Sequence, residues 1–138
     1  MSDGGPLTGI RVVEIAGGVA GPHAGKLLAD YGADVVKVEP PGGDRSRHAG
    51  PFKGGVANIE ASAAFLWLNT NKRSVVVNLD TEEGKGLLRR LIERADVLIE
   101  DFAPGRLAAL GFEPAALLAA RPGLVVCSIT PYGQDGPY

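Results

Sequence analysis

Short apolar runs alternate along the chain with stretches where apolar positions recur every three or four residues. The first run, IRVVEIA at 10–16, is β-branched and predicts a buried strand. GGVAGPH then turns the chain, and Pro22 suits the first turn of a helix. Along that helix Ala24, Leu27, Leu28 and Tyr31 share one face, and Gly32 is a suitable stop. DVVKVE at 34–39 reads as a second strand, ended by Pro40 and Pro41. The Gly-rich stretch PPGGDRSRHAGPFKGGVAN, 40–58, has the length at which a structureless loop is functional or mobile. EASAAFLWLN predicts a short helix, and NKRSVVVNL a third strand over about 74–79. Asp80 as cap, with Glu83 three residues later, spells a capping box. The helix it opens carries Leu87, Leu88, Leu91 and Ile92 on one face. DVLIED is a fourth strand, Pro104 and Gly111 bracket a short helix, and 113–120 forms another before Pro122. GLVVCSIT is the fifth strand.

Strands separated by helices imply parallel pairing through crossovers. The predicted fold is α/β: an open, mostly parallel, Rossmann-like sheet with helices on both faces. With both faces covered, its strands should be nearly all apolar.

Composition narrows the classes without choosing among them. At 138 residues, 45% hydrophobic and 22% charged, the chain is about one ordinary globular domain. The net charge of −2 comes with basic residues spread out, which argues against nucleic acid as partner. No apolar run nears the roughly 18 residues of a membrane span, and MSDGGPLTG, polar and acidic, does not read as a signal peptide. Cys127 stands alone in an apolar strand pattern, so we expect a small core residue in a reducing, cytoplasmic setting.

In open α/β sheets ligands lie beyond the carboxyl ends of the strands. GGVAGPH there invites a dinucleotide reading, with Glu39 at the end of strand two as ribose acid. The spacing of Gly17, Gly18 and Gly21 does not spell the fingerprint, and Pro22 removes a helix-start N–H. A tight turn and close helix packing explain the glycines better. His23, His48 and Cys127 have no metal-ligand spacing, and no metal is expected. Lys72 and Arg73 precede strand three, at the end away from the crevice, and read as a solvated strand entry. Arg45 and Arg47 read as loop residues in solvent. Arg106 differs: it opens a helix beyond strand four, where backbone N–H groups and a guanidinium together suit an anion. The residues by themselves show no catalytic group.

Four ordered segments carry more. LTGIRVVEIAGGVAGPHAGKLLADYGADVVKVEPPGGD, LNTNKRSVVVNLDTEEGKGLL, ADVLIEDFAPGRLAALGF and SITPYGQDGPY resemble the class III CoA-transferases. That family includes formyl-CoA and carnitine CoA-transferases and the related α-methylacyl-CoA racemases. The resemblance covers nearly the whole chain. It implies a Rossmann-like domain that binds coenzyme A or acyl-CoA as substrate, with a small carboxylic acid as second substrate. It also implies an interlocked homodimer, or here a C-terminal partner chain. Transferases of the family work through aspartyl thioesters on one aspartate, a covalent catalysis. Racemases use a His/Asp pair to exchange an α-proton.

The family's glycine-rich loop before its catalytic acid corresponds to 132–137. The acid would therefore lie beyond Tyr138. Residues 1–138 are expected to be the N-terminal portion of the CoA-binding domain, without catalytic segment or small domain, and inactive alone. Matching positions imply CoA contacts from Val19 and Ala20, from Val77, Asn78 and Leu79, and from Asp101 and Phe102, with Arg106 as a substitute phosphate partner. Arginines common in the family are replaced by Pro40, Ala103 and Ala109, and a lysine by Asp80. Arg45 and Arg47 are further candidates to compensate. Two other readings are a non-catalytic CoA-binding or assembly module and a dinucleotide oxidoreductase.

Overall fold

The structure, a computed structural model, describes residues 4–136. Five strands form one sheet: β1 (Arg11–Ile15), β2 (Asp34–Glu39), β3 (Arg73–Val76), β4 (Val97–Glu100) and β5 (Val125–Ser128). Their order is β3-β2-β1-β4-β5, and every pairing is parallel. The expected Rossmann-like α/β architecture is thus present. The chain runs outward from β1 to β3, then returns to β4 beside β1. That reversal makes the carboxyl ends of β1 and β4 a topological switch point, where such sheets hold ligands.

Five helices connect the strands: α1 (Ala20–Asp30), α2 (Ala63–Leu68), α3 (Glu82–Ile92), α4 (Arg106–Ala109) and α5 (Pro114–Ala120). Alternate residues of the strands feed two cores. On one face Val12, Val35 and Ile99 pack with Ala29 of α1. On the other Val13, Ile15 and Leu98 pack with Leu88 and Ile92 of α3 and Leu107 and Leu110 around α4. The α3 stripe was foreseen, although Leu87 stays partly exposed. No helix among the described residues is long and apolar enough to cross a membrane.

Two glycines let helices approach closely. A Cβ on Gly25 would lie 1.9 Å from Glu14 Oε2, and one on Gly84 would lie 1.8 Å from the Asn78 carbonyl oxygen. Of the first-turn glycines, Gly21 serves close packing: a Cβ there would lie 2.2 Å from Ala16 Cβ.

Several expectations fail in instructive ways. The α3 cap is Thr81, not Asp80: its hydroxyl accepts from Gly84 N at 3.1 Å. Asn78 folds the preceding turn, accepting from Asp80 N, so the helix starts one residue later and no capping box forms. The central strands are not purely apolar, because Glu14, Lys37, Glu39 and Glu100 are buried in them. Cys127 is exposed rather than in the core, since β5 ends the five-strand sheet and lacks cover there. At the opposite edge β3 is exposed along its whole length.

The 40–58 loop is anchored. Asp44 caps a turn at Arg45–His48, and Ser62, wholly buried, places its Oγ 2.7 Å from the Ser46 and Ala49 carbonyls.

Candidate functional site

Beneath the site lies a buried chain of alternating charges. Lys72 Nζ sits 2.7 Å from Glu14 Oε2, and Glu14 Oε1 lies 2.9 Å from Lys37 Nζ. Lys37 reaches Asp44 Oδ2 at 2.7 Å and the Ala16 carbonyl at 2.7 Å. The Lys37–Asp44 contact is an ion pair outside hydrogen-bond angles, and Oδ2 has no other hydrogen-bond partner. Lys72 also donates to Pro22 O and Asn69 Oδ1. It is therefore no solvated strand entry: from the foot of β3 it turns under α1, where Gly25 leaves room. Arg73 does stay at the amino ends, exposed and paired with Asp34.

Burial pushes the Lys72 ammonium down, against the pull of Glu14. Burial would raise Asp44, but Lys37 and the Ser46 groups outweigh it and hold it low. Two positive and two negative groups close this network, so removing one leaves an uncompensated buried charge.

A second anchor corrects the reading of Arg47. Its guanidinium donates to Glu39 at 2.6 and 2.8 Å and lies 3.6 Å over the Phe65 ring. Burial works to raise Glu39, yet Arg47, Ser74 and the Asp44 N–H together hold it down to about 2. Glu39 borders the cleft, but both its carboxylate oxygens are already engaged by Arg47, Ser74 and the Asp44 N–H.

The carboxyl ends of β1 to β4 open on one cleft of about 440 Å³. Small-ligand sites occupy roughly 300–1,000 Å³. Ala16 and Gly17 line it from β1, Pro40 and Pro41 from β2, residues 77–80 beyond β3, and Asp101 and Phe102 beyond β4. Arg106 and Arg45 stand at its sides, and Leu110 completes an apolar wall.

Both Asp101 carboxylate oxygens accept from Gly17 N at 3.0 Å. Burial raises the Asp101 carboxyl above its ordinary value, with the Gly17 N–H pulling the other way. Gly18 N points to Asp44 Oδ1 at 3.5 Å. Two turn N–H groups that a dinucleotide pyrophosphate could use, Gly17 and Gly18, are thereby engaged by side chains.

Six residues named from sequence meet in this cleft: Val77, Asn78, Leu79, Asp101, Phe102 and Arg106. Val19 and Ala20 do not line it; Val19 precedes α1 and is 68% exposed. Sequence reasoning passed over Asp44 and underweighted Arg45. The available signal was Glu14 and Lys37, opposite charges inside strands that must find partners. His23 stacks on Trp67 at 5.4 Å, with Nδ1 buried and lacking a hydrogen bond, away from the cleft lining. No group of three His, Cys, Asp or Glu that could hold a metal occurs among the described residues. The glycine-rich loop is exposed over residues 132–136, and its Pro137 lies outside the described residues.

A parallel sheet in this order, with a cleft and flanking guanidiniums at its switch point, defines an α/β domain of Rossmann type. The chain belongs to CoA-transferase family III, whose family model matches residues 7–138. It is 50% identical over 136 residues to a succinate–glutarate CoA-transferase of Agrobacterium fabrum, covering 96% of this chain and 34% of that protein. It is 40% identical to the alpha subunit of a succinyl-CoA–L-malate CoA-transferase of Chloroflexus aurantiacus, covering 96% of this chain and 31% of that one. The crystal structure of a CAIB/BAIF family protein from Brucella suis superposes with a TM-score of 0.89 at 45% identity, covering 99% of this chain and 36% of that one. The chain thus spans about a third of the length of the relatives it matches.

Proposed function

We propose that residues 1–138 are the CoA-binding part of an acyl-CoA:carboxylate CoA-transferase. The observation that carries this reading is the convergence of the ends of β3 and β4 on one cleft. Its wall of Val77, Leu79, Phe102 and Leu110 suits the adenine ring and the pantetheine arm, while Asn78 and Asp101 offer polar contacts. Arg106 takes a phosphate. Val19 and Ala20 would contribute from the start of α1 if the ligand extends past the Gly17–Gly18 turn.

The chemistry falls to a downstream aspartate: its carboxylate attacks the acyl thioester and expels CoA thiolate, the thiolate returns to the aspartyl carbonyl and releases the donor carboxylate, and the acceptor carboxylate then runs these two steps in reverse to leave as its CoA thioester. The role of this domain is to fix the thioester so that the reacting carbonyl meets that aspartate, which is catalysis by positioning. The relatives, named as CoA-transferases, favour transfer over racemisation, and they point to short dicarboxylic acids as acceptors. A homodimer supplies the partner, or a second chain where the enzyme is split. Cytoplasmic acyl-CoA metabolism is the setting this implies.

The test is an assay of the full-length enzyme with succinyl-CoA and glutarate. Formation of glutaryl-CoA, with a CoA adduct trapped on a downstream aspartate, is expected. Turnover that only exchanges an α-proton would replace this reading with the racemase one.

A further inference from the structure

We propose that Arg45 and Arg106 are the phosphate-reading pair of the cleft, and that Asp80 competes with the ligand for Arg106. The inference rests on the reading that this cleft takes CoA. It starts from an inventory of positive charge. Lys37 and Lys72 are buried in the Glu14–Asp44 network, and Arg47 is held by Glu39. Arg45 and Arg106 are the two cations that line the cleft among the described residues. They come from different elements, the braced turn after β2 and the first residue of α4.

At the β1 turn Asp101 already takes the Gly17 N–H. Arg45 lies over that turn instead, with Nη2 3.4 Å from the Gly17 carbonyl. Gly18 makes the space: a Cβ there would sit 2.5 Å from Nη2. A guanidinium laid on a glycine turn replaces the missing N–H donors with a fork matched to phosphate.

The cleft's acids are Glu39, Asp44, Asp80 and Asp101. The first two are matched by Arg47 and Lys37, and Asp101 by Gly17. Asp80 differs. It is 80% exposed at the side chain, and its partner is Arg106 at 3.2 Å. An exposed pair of this kind is weak. A phosphate, with more charge and more acceptors, takes the guanidinium from it.

The experiment measures CoA affinity by calorimetry across a salt series for the native protein and for Arg45→Gln, Arg106→Gln and Asp80→Asn. Each arginine change should weaken CoA by about tenfold or more, as loss of a charged hydrogen bond does, and flatten the salt dependence. Asp80→Asn should tighten CoA about two- to fivefold, a gain that damaged folding does not mimic. Unchanged affinity in both arginine variants overturns the proposed pair while the cleft reading stands. Weaker binding in Asp80→Asn overturns the competition. No CoA binding by the native protein overturns the cleft reading and this inference together.

Discussion

At the residue scale, the tightest constraints are the missing Cβ atoms at Gly25 and Gly84. Gly84→Ala drives a methyl into the Asn78 carbonyl, a backbone atom that cannot rotate away. The expected loss is about 1–3 kcal/mol, typical of overpacking, read as a lower urea midpoint. Gly25→Ala meets a side-chain oxygen instead and disturbs the Glu14–Lys72 pair. The network itself predicts a larger effect. Lys37→Met leaves Glu14 with Lys72 alone and Asp44 without its counter-charge, and should cost about 3–5 kcal/mol; a loss below about 1 kcal/mol would show that water compensates the buried charge. Lys72, Asp44 and Arg47 were misjudged in sequence for one reason. Their partners are 58, 7 and 8 positions away in Glu14, Lys37 and Glu39, and no local pattern names a partner.

At the element scale, periodicity located the five strands and the five α-helices of the described residues; it missed the short 3-10 turns at Arg45–His48 and Lys53–Gly55, and its other errors fall at edges and ends. Hydrophobic runs mark a strand without saying whether a neighbour covers it, so β3 and β5 read like β1. Cys127 shows the consequence. A thiol reagent should label it in the native protein at a rate near that of the unfolded chain; strong protection would place it under cover. The loop after β2 looked mobile because its glycines are visible and its anchors are not. Glu39 gives that anchoring a pH signature. Its carboxyl falls from an ordinary 4.5 to about 2 in the fold. The stabilisation is complete above pH 4.5 and is lost as pH falls toward 2, on the order of 3 kcal/mol. Acid titration of native protein and of Arg47→Met, followed by near-UV circular dichroism, should show a shallower loss across that window in the variant. Identical profiles would mean that Arg47 does not hold Glu39 ionised.

At the scale of the whole molecule, alternation of strands and helices made the parallel α/β sheet legible, and the order of four segments made the family legible. Strand order was not legible, because it depends on pairings such as Val13 with Leu98 across 85 positions. The cleft follows from that order: only when β4 returns beside β1 do residues 77–80 and 101–106 face one space. This is also why Val19 and Ala20, matched by position alone, fall outside its lining.

The central claim is that CoA occupies this cleft, and amide chemical-shift mapping during titration with CoA addresses it most directly. The account predicts the largest changes at Gly17 and Gly18, at residues 77–80, and between Asp101 and Arg106, with little response to NAD. Changes confined to another surface, or a response to NAD without one to CoA, would contradict it.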